Sequence, residues 1–340
     1  MNIVMINIPF KAPWLGENKW ITVPPQNYGG IQWIVKNLMD GMLELGHSVT
    51  LLGAPGSPET HPKLTVLPHG EIKDIEKWLE ENEGKYDIVH DHTCRGEEFN
   101  ENFNQFNWKV INSHYLSSVP LRKKNIVAAS QAHAKDIGMP NVPFIRHPVN
   151  PNNYVFTENK SNYLLFLGRV SDWKGAYEAA SFAEKAGLKL VIAGPVWEKE
   201  YFEAIMSRYK KTVRYVGEVG GEKRLELLSR SKAILVFSNS VTGPAGRTWV
   251  EPGSTVVSEA AACGTPVISS SNGCLSEIVP RVGKVIDDLE VVTQEAARGI
   301  IKNLPLPSDV YRNGLEDWDY LKISEQYLQL YEKVLHGHTW

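Results

Sequence analysis

Two carboxylates, Glu251 and Glu259, stand eight positions apart in WVEPGSTVVSEAAACGTPVISS, residues 249–270. Pro252 and Gly253 favour a turn after the first acid, and the Ala-rich stretch over about 254–263 predicts a helix that contains the second. That helix begins between the acids, at Ser254, Thr255 and Val256, and the free N–H groups of a first helical turn form a natural anion site. By residue type the pair suits acid–base work; two acids on a helix surface are also common with no role at all. Arg169 and Lys174 lie five apart in a loop bounded by Gly168 and Gly175. An Arg fork and a compact Lys charge suit a diphosphate, although an ordinary surface loop carries such cations too.

The first half of the chain offers a different set. Gly29 and Gly30 fall where a loop gives way to a helix start, so their backbone can approach a phosphate closely, or simply turn. His90 and His92 close the segment YDIVHDH, and His114 closes WKVINSHY. In a doubly wound sheet ligands collect beyond the carboxyl ends of the strands, which makes all three histidines candidates by location. A metal at His90 and His92 needs a further ligand that the sequence does not point to, so no metal site is assigned. Asp317 and Asp319 spell DxD at the foot of the last helix and read as helix-start residues. Arg122, Lys123 and Lys124 make a small basic cluster whose ordinary reading is a solvated loop.

The elements that must position these residues follow from periodicity. NIVMINI reads as a buried strand, and apolar residues from Ile31 to Leu45 recur at helical spacing before the strand SVTLLG. Strand and helix go on alternating, and after the polar, turn-rich stretch Pro148–Lys160 the second half restarts with a strand at YLLFL and runs to KAILVFS. The chain therefore divides into residues 1–155 and 156–317, both α/β. A final helical stripe carries Tyr320, Ile323, Tyr327, Leu330, Tyr331 and Val334.

Composition removes several function classes. A net charge of −3 argues against a nucleic-acid partner, and no run of 18 apolar residues provides a membrane span. Three cysteines without CxxC spacing support neither a disulfide framework nor a zinc cluster and fit the cytoplasm. The patterns GxGxxG and GxxxxGK[ST] are both missing, which counts against dinucleotide oxidoreductases and P-loop enzymes. Little in the sequence bears on oligomeric state.

Glu-x7-Glu before CGTPVI, together with GRVSDWKG, YGGIQWIVKNLMDGMLELGH, AGPVWEKEYF and VGEVGGEKR, resembles the retaining glycosyltransferase family 4. PPQNYGGIQW, SNSVTGPAGRTWVEPG and NGCLSEIVP look most like a subgroup that acts in oligosaccharide-antibiotic assembly. The resemblance implies a GT-B fold, in which two Rossmann-like doubly wound parallel-sheet domains face a central cleft. Residues 1–155 would be the acceptor-side domain, residues 318–340 would pack back on it, and residues 156–317 would hold the donor.

It further implies a UDP-linked sugar donor, a saccharide or small-molecule acceptor, and chemistry that needs neither metal nor other cofactor. Arg169, Lys174 and the helix start would stabilise the leaving diphosphate, with Gly168 beside them. Glu259 would hold the ribose hydroxyls, Glu251 the sugar hydroxyls, and His114 would lie near the transferred sugar. Gly29 and Gly30 would approach the diphosphate, with His90 and His92 on the acceptor side. The family's usual Phe-Gly after Glu-Pro is replaced here by Gly253-Ser254, preceded by a longer loop over 238–248, a departure that bears on the donor-sugar pocket. A UDP-sugar 2-epimerase on the same scaffold and a non-catalytic nucleotide-sugar-binding protein are the alternatives.

Overall fold

A computed structural model describes residues 1–11, 19–94, 108–117, 124–243 and 246–340. Two units emerge, one formed by Met1–Pro148 with Tyr320–Trp340 and the other by Val149–Asp319. Arg122 and Lys123 lie outside the described residues.

Unit 1 contains β1 (Asn2–Ile6), α1 (Gly30–Glu44), β2 (Ser48–Gly53), β3 (Leu64–Pro68), α2 (Ile72–Glu81), β4 (Ile88–Asp91), β5 (Val110–Ser113), β6 (Ile126–Val127) and α3 (Gln131–Asp136). Its sheet is parallel in the order β3-β2-β1-β4-β5-β6. The β1–β4 register pairs Ile3 with Ile88 and Ile6 with Asp91. Because side chains alternate across a strand, Ile3, Met5 and Ile88 face one core while Val4, Ile6 and Val89 face the other. Both faces are covered, which is why these strands read as continuous apolar runs rather than alternating ones.

Unit 2 contains β7 (Tyr163–Leu167), α4 (Ala176–Ala186), β8 (Lys189–Ala193), α5 (Lys199–Arg208), β9 (Val213–Tyr215), α6 (Gly221–Arg230), β10 (Ala233–Val236), α7 (Thr255–Ala262), β11 (Val267–Ser270), α8 (Leu275–Ile278), β12 (Gly283–Ile286), α9 (Gln294–Lys302) and α10 (Pro307–Trp318). Its sheet is again parallel, ordered β12-β11-β10-β7-β8-β9, with an apolar core on each face. The strand order reverses between β7 and β10, so the crevice of this unit opens between the loops that leave those two strands.

The last helix, α11 (Tyr320–Leu335), belongs to unit 1. Tyr327, Leu330, Tyr331 and Val334 bury against the α1 side of the sheet. Close approach depends on Gly41 of α1, where a Cβ would come within 2.1 Å of the Ser324 hydroxyl and 2.9 Å of the Tyr320 carbonyl. The helix-start reading of the DxD pair holds for Asp319, which directly precedes α11, and needs correction for Asp317. Asp317 lies in the last turn of α10 and pairs with Arg281 at 2.5 Å, while Asp319 forms the joint before α11. Among the described residues no helix is long and apolar enough to cross a membrane.

Candidate functional site

The loop after β7 carries Arg169 and Lys174, and the loop after β10 carries Glu251 and the start of α7, so the four candidates of unit 2 flank its crevice. Glycine makes the approach possible. Gly175 has φ +71°, and a Cβ there would lie 1.8 Å from the Phe237 carbonyl oxygen just beyond β10. At the other end of the loop a Cβ on Gly194 would lie 1.9 Å from the Gly168 carbonyl, so Gly194 is the residue that has to be bare, whereas Gly168 itself has room. Between them Asp172–Lys174 form one 3-10 turn that aims Lys174 back across the crevice.

Lys174 Nζ lies 2.7 Å from Glu251 Oε2. The same oxygen accepts the Ser238 hydroxyl at 2.9 Å and the Trp249 indole N–H at 3.2 Å. Burial pushes the Glu251 carboxyl up, but Lys174, Ser238 and Trp249 outweigh it, and the net direction is below the usual carboxylate range. The backbone of Glu251 is also fixed: its N–H donates to Asn272 Oδ1 (3.2 Å), and its carbonyl accepts the Cys274 N–H (2.9 Å). Arg169 is held differently, its guanidinium 5.2 Å from the Trp197 ring and 5.8 Å from that of Trp173. Cation and indole faces attract, so two tryptophans orient this charge.

Helix α7 starts where the sequence placed it, at Thr255, with Ser254 as its N-cap residue. The Ser254 side chain makes no capping bond. Among the described residues no partner is recorded for the first-turn N–H groups of Thr255 and Val256, which leaves them to solvent or to an anion. Glu259, in the middle of α7, is buried; its Oε2 lies 2.5 Å from Arg224 of α6, and its Oε1 accepts the Tyr154 hydroxyl at 3.2 Å. Burial opposes the Arg224 charge, but Glu259 and Tyr154 raise its pKa above the ordinary value. Each carboxylate oxygen has two lone pairs, so Glu259 retains acceptor capacity for further hydroxyl donors.

In unit 1, Gly29 precedes α1 and Gly30 opens it. A Cβ on Gly29 would meet that of Pro25 at 2.7 Å, so packing demands glycine there. His114 follows β5, buried and stacked on His133 at 5.4 Å between ring centroids. His133 has no signature in the sequence; it accepts the Ala129 N–H (3.1 Å) and donates to the Leu116 carbonyl (2.9 Å). His90 does not fit the acceptor-side expectation. Its ring is fully buried, with Nδ1 2.6 Å from the Tyr331 hydroxyl and Nε2 2.8 Å from Ser113 Oγ, and it ties β4 and β5 to α11. His92 is equally buried, bonds the Tyr115 hydroxyl through Nδ1 (2.6 Å), and is driven by burial to about 3, which keeps it neutral.

Sequence reasoning missed Ser238, Arg224 and Tyr154, and it did not single out Trp249 within its own opening motif. The three cysteines are free thiols.

Residues 154–287, which span the unit 2 site, match the family model described as glycosyl transferases group 1. AviGT4, a glycosyltransferase involved in avilamycin A biosynthesis, is 45% identical, with 100% of this chain and 99% of that chain covered and a TM-score of 0.92. Glycogen synthase of Mycobacterium tuberculosis is 28% identical over 153 residues, 42% of this chain; the match spans 34% of that protein, about a third of its length. The Anabaena protein HepE, solved with UDP and glucose, shares the fold at 13% identity and a TM-score of 0.70, covering 97% of this chain and 99% of that one. The likeness to AviGT4 is in the subgroup to which PPQNYGGIQW and NGCLSEIVP pointed.

Proposed function

The chain belongs to the glycosyl transferases group 1 family, and on that premise we propose that it moves a sugar, with retention of configuration and without a metal, from a UDP-linked donor to a hydroxyl of a saccharide or small molecule. The observation that carries this reading is the Lys174–Glu251 pair at the strand-order reversal of unit 2, next to an uncapped helix start. A UDP leaving group needs positive charge that grows in importance as the glycosidic bond breaks. Arg169, Lys174 and the Thr255 and Val256 N–H groups supply it from fixed positions, the arrangement that stabilises a transition state most effectively. These cations take the place a divalent ion holds in other phosphate-transfer sites.

Glu259 accepts ribose hydroxyls, and its pairing with Arg224 and Tyr154 holds the carboxylate in place for that purpose. Glu251 accepts hydroxyls of the sugar. The acceptor hydroxyl attacks from the leaving-group side, and a donor phosphate oxygen takes its proton, so no enzyme nucleophile is required. His114, Gly29 and Gly30 of unit 1 carry the family's expectation of a histidine for the sugar and a glycine pair for the diphosphate. The complex of HepE with UDP and glucose supports UDP as the nucleotide.

The test begins with thermal shifts across UDP, GDP, ADP and TDP sugars, since a ligand of the folded state raises the melting temperature. Arg169→Ala and Lys174→Ala are expected to lower transfer from the selected donor by about 100-fold or more with the far-UV spectrum intact, and EDTA is expected to leave the wild-type rate unchanged. Near-normal rates in both variants, or conversion of the donor to its epimer without acceptor, would sink the proposal.

A further inference from the structure

We propose that Trp249 and Ser238 are positioning residues for the donor sugar: they pin one carboxylate oxygen of Glu251 and so present the other to a sugar hydroxyl. The proposal rests on the donor-binding reading above and extends it to two residues with no part in it. Three donors, from Lys174, Ser238 and Trp249, converge on Oε2. Among the described residues no donor is recorded on Oε1, and Oε1 is not among the buried polar atoms left without a partner, so in a side chain only 6% exposed it is the oxygen that remains open to solvent. A carboxylate oxygen with free lone pairs at the crevice is an acceptor that a hydroxyl of a bound sugar fits.

Trp249 touches both members of the ion pair. Its indole N–H is shared between Ser238 Oγ (2.9 Å) and Glu251 Oε2 (3.2 Å), while its ring lies 4.6 Å from Lys174 Nζ. The Ser238 hydroxyl has a single proton and two acceptors in reach, Glu251 Oε2 at 2.9 Å and the Trp173 carbonyl at 3.2 Å. The charged acceptor is the stronger, and the hydroxyl oxygen stays available to the indole N–H. Lys174, Ser238 and Trp249 therefore close a ring of contacts around one oxygen and fix the rotation of the carboxylate.

The loop between β10 and α7 is built around this tryptophan. Thr242 and Thr248 pair as an antiparallel bridge, Trp249 N–H donates to the Val241 carbonyl (2.7 Å), and Gly243 N–H donates to that of Arg247 (2.7 Å). A Cβ on Gly243 would lie 3.0 Å from the Trp249 ring, so the hairpin rests directly on the indole. From the other side Asn272 Nδ2 donates to the Trp249 carbonyl (3.0 Å). The titratable groups facing Glu251 are Lys174 from the β7–α4 loop and Cys274 from the start of α8, whose thiol burial keeps protonated.

The test compares the affinity of UDP-glucose, or of whichever nucleotide sugar the thermal screen selects, with that of its free nucleotide. Calorimetry is run on wild type, Trp249→Phe and Ser238→Ala. Wild type is expected to favour the nucleotide sugar. Each variant is expected to lose about tenfold of that preference, with the free nucleotide bound within about twofold of wild type and the acid limb of donor kcat/KM moved to higher pH. A merely structural role would weaken both ligands together and leave the limb in place. Wild type binding no nucleotide sugar overturns the functional reading and this inference with it. Wild type with a sugar preference that both folded variants retain overturns the inference alone.

Discussion

Replacing Arg224 by Met isolates what the buried partner of Glu259 does. Arg224 and Glu259 side chains are 10% and 5% exposed, and their 2.5 Å contact is the shortest ion pair within the core of unit 2 that involves a site candidate. Met keeps most of the apolar volume but leaves Glu259 with the Tyr154 hydroxyl at 3.2 Å as its described donor. Removing one partner of a buried pair costs about 3–5 kcal/mol, because the remaining charge keeps its desolvation penalty. For a unit of this size that corresponds to roughly 6–20 °C in Tm. Urea and thermal unfolding followed by circular dichroism give the number. The double variant Arg224→Met with Glu259→Gln removes both charges and preserves an acceptor for Tyr154, so it is expected to recover most of the loss while nucleotide binding stays weak. A double variant as unstable as the sum of the singles would refute the reasoning, since coupling is what the contact asserts.

The depressed Glu251 carboxyl makes a pH prediction. A group whose folded value is lowered contributes stability above its unfolded value of about 4.3 and loses it as pH falls through the folded value. Lys174→Met takes away the strongest influence opposing burial, so acid unfolding should begin at higher pH; an unmoved acid midpoint counts against the pairing. Gly175→Ala forces a side chain into φ +71° and against the Phe237 carbonyl at 1.8 Å, and is expected to cost more than the about 1–2 kcal/mol of the left-handed conformation alone. Gly46→Ala, with φ +91° and open space around it, is the control; equal losses at the two sites would show that the close approach is immaterial.

Much of the fold was legible because its strands are buried on both faces and its helices carry one apolar stripe, so period and length separate the two. The start of α7 between Glu251 and Glu259 was readable from Pro252-Gly253 and the alanines after it. What was not readable lies at long range. Tyr154 meets Glu259 across 105 positions and Lys174 meets Glu251 across 77, and no local spacing encodes such a contact. Arg224 carries no signal in the sequence, since only the fold reveals that its side of α6 faces Glu259 of α7. His90 misled for the converse reason: the carboxyl end of a strand is where ligands gather, yet Tyr331 from the far end of the chain occupies its ring first.

The placement of α11 has a consequence for how the chain is made. Its residues Ile323, Tyr327, Leu330, Tyr331 and Val334 complete a core whose other strand and helix members all precede position 149. At about 5–20 residues per second on the ribosome, the 171 residues of Val149–Asp319 impose a wait on the order of 10–30 s between the last strand of unit 1 and the helix that closes it. Unit 2, uninterrupted in sequence, can finish inside that interval. Vectorial synthesis thus matures the second-made unit first and leaves the α1 side of the earlier sheet open, a nascent apolar face that holding chaperones are suited to shield until Tyr320–Leu335 emerges.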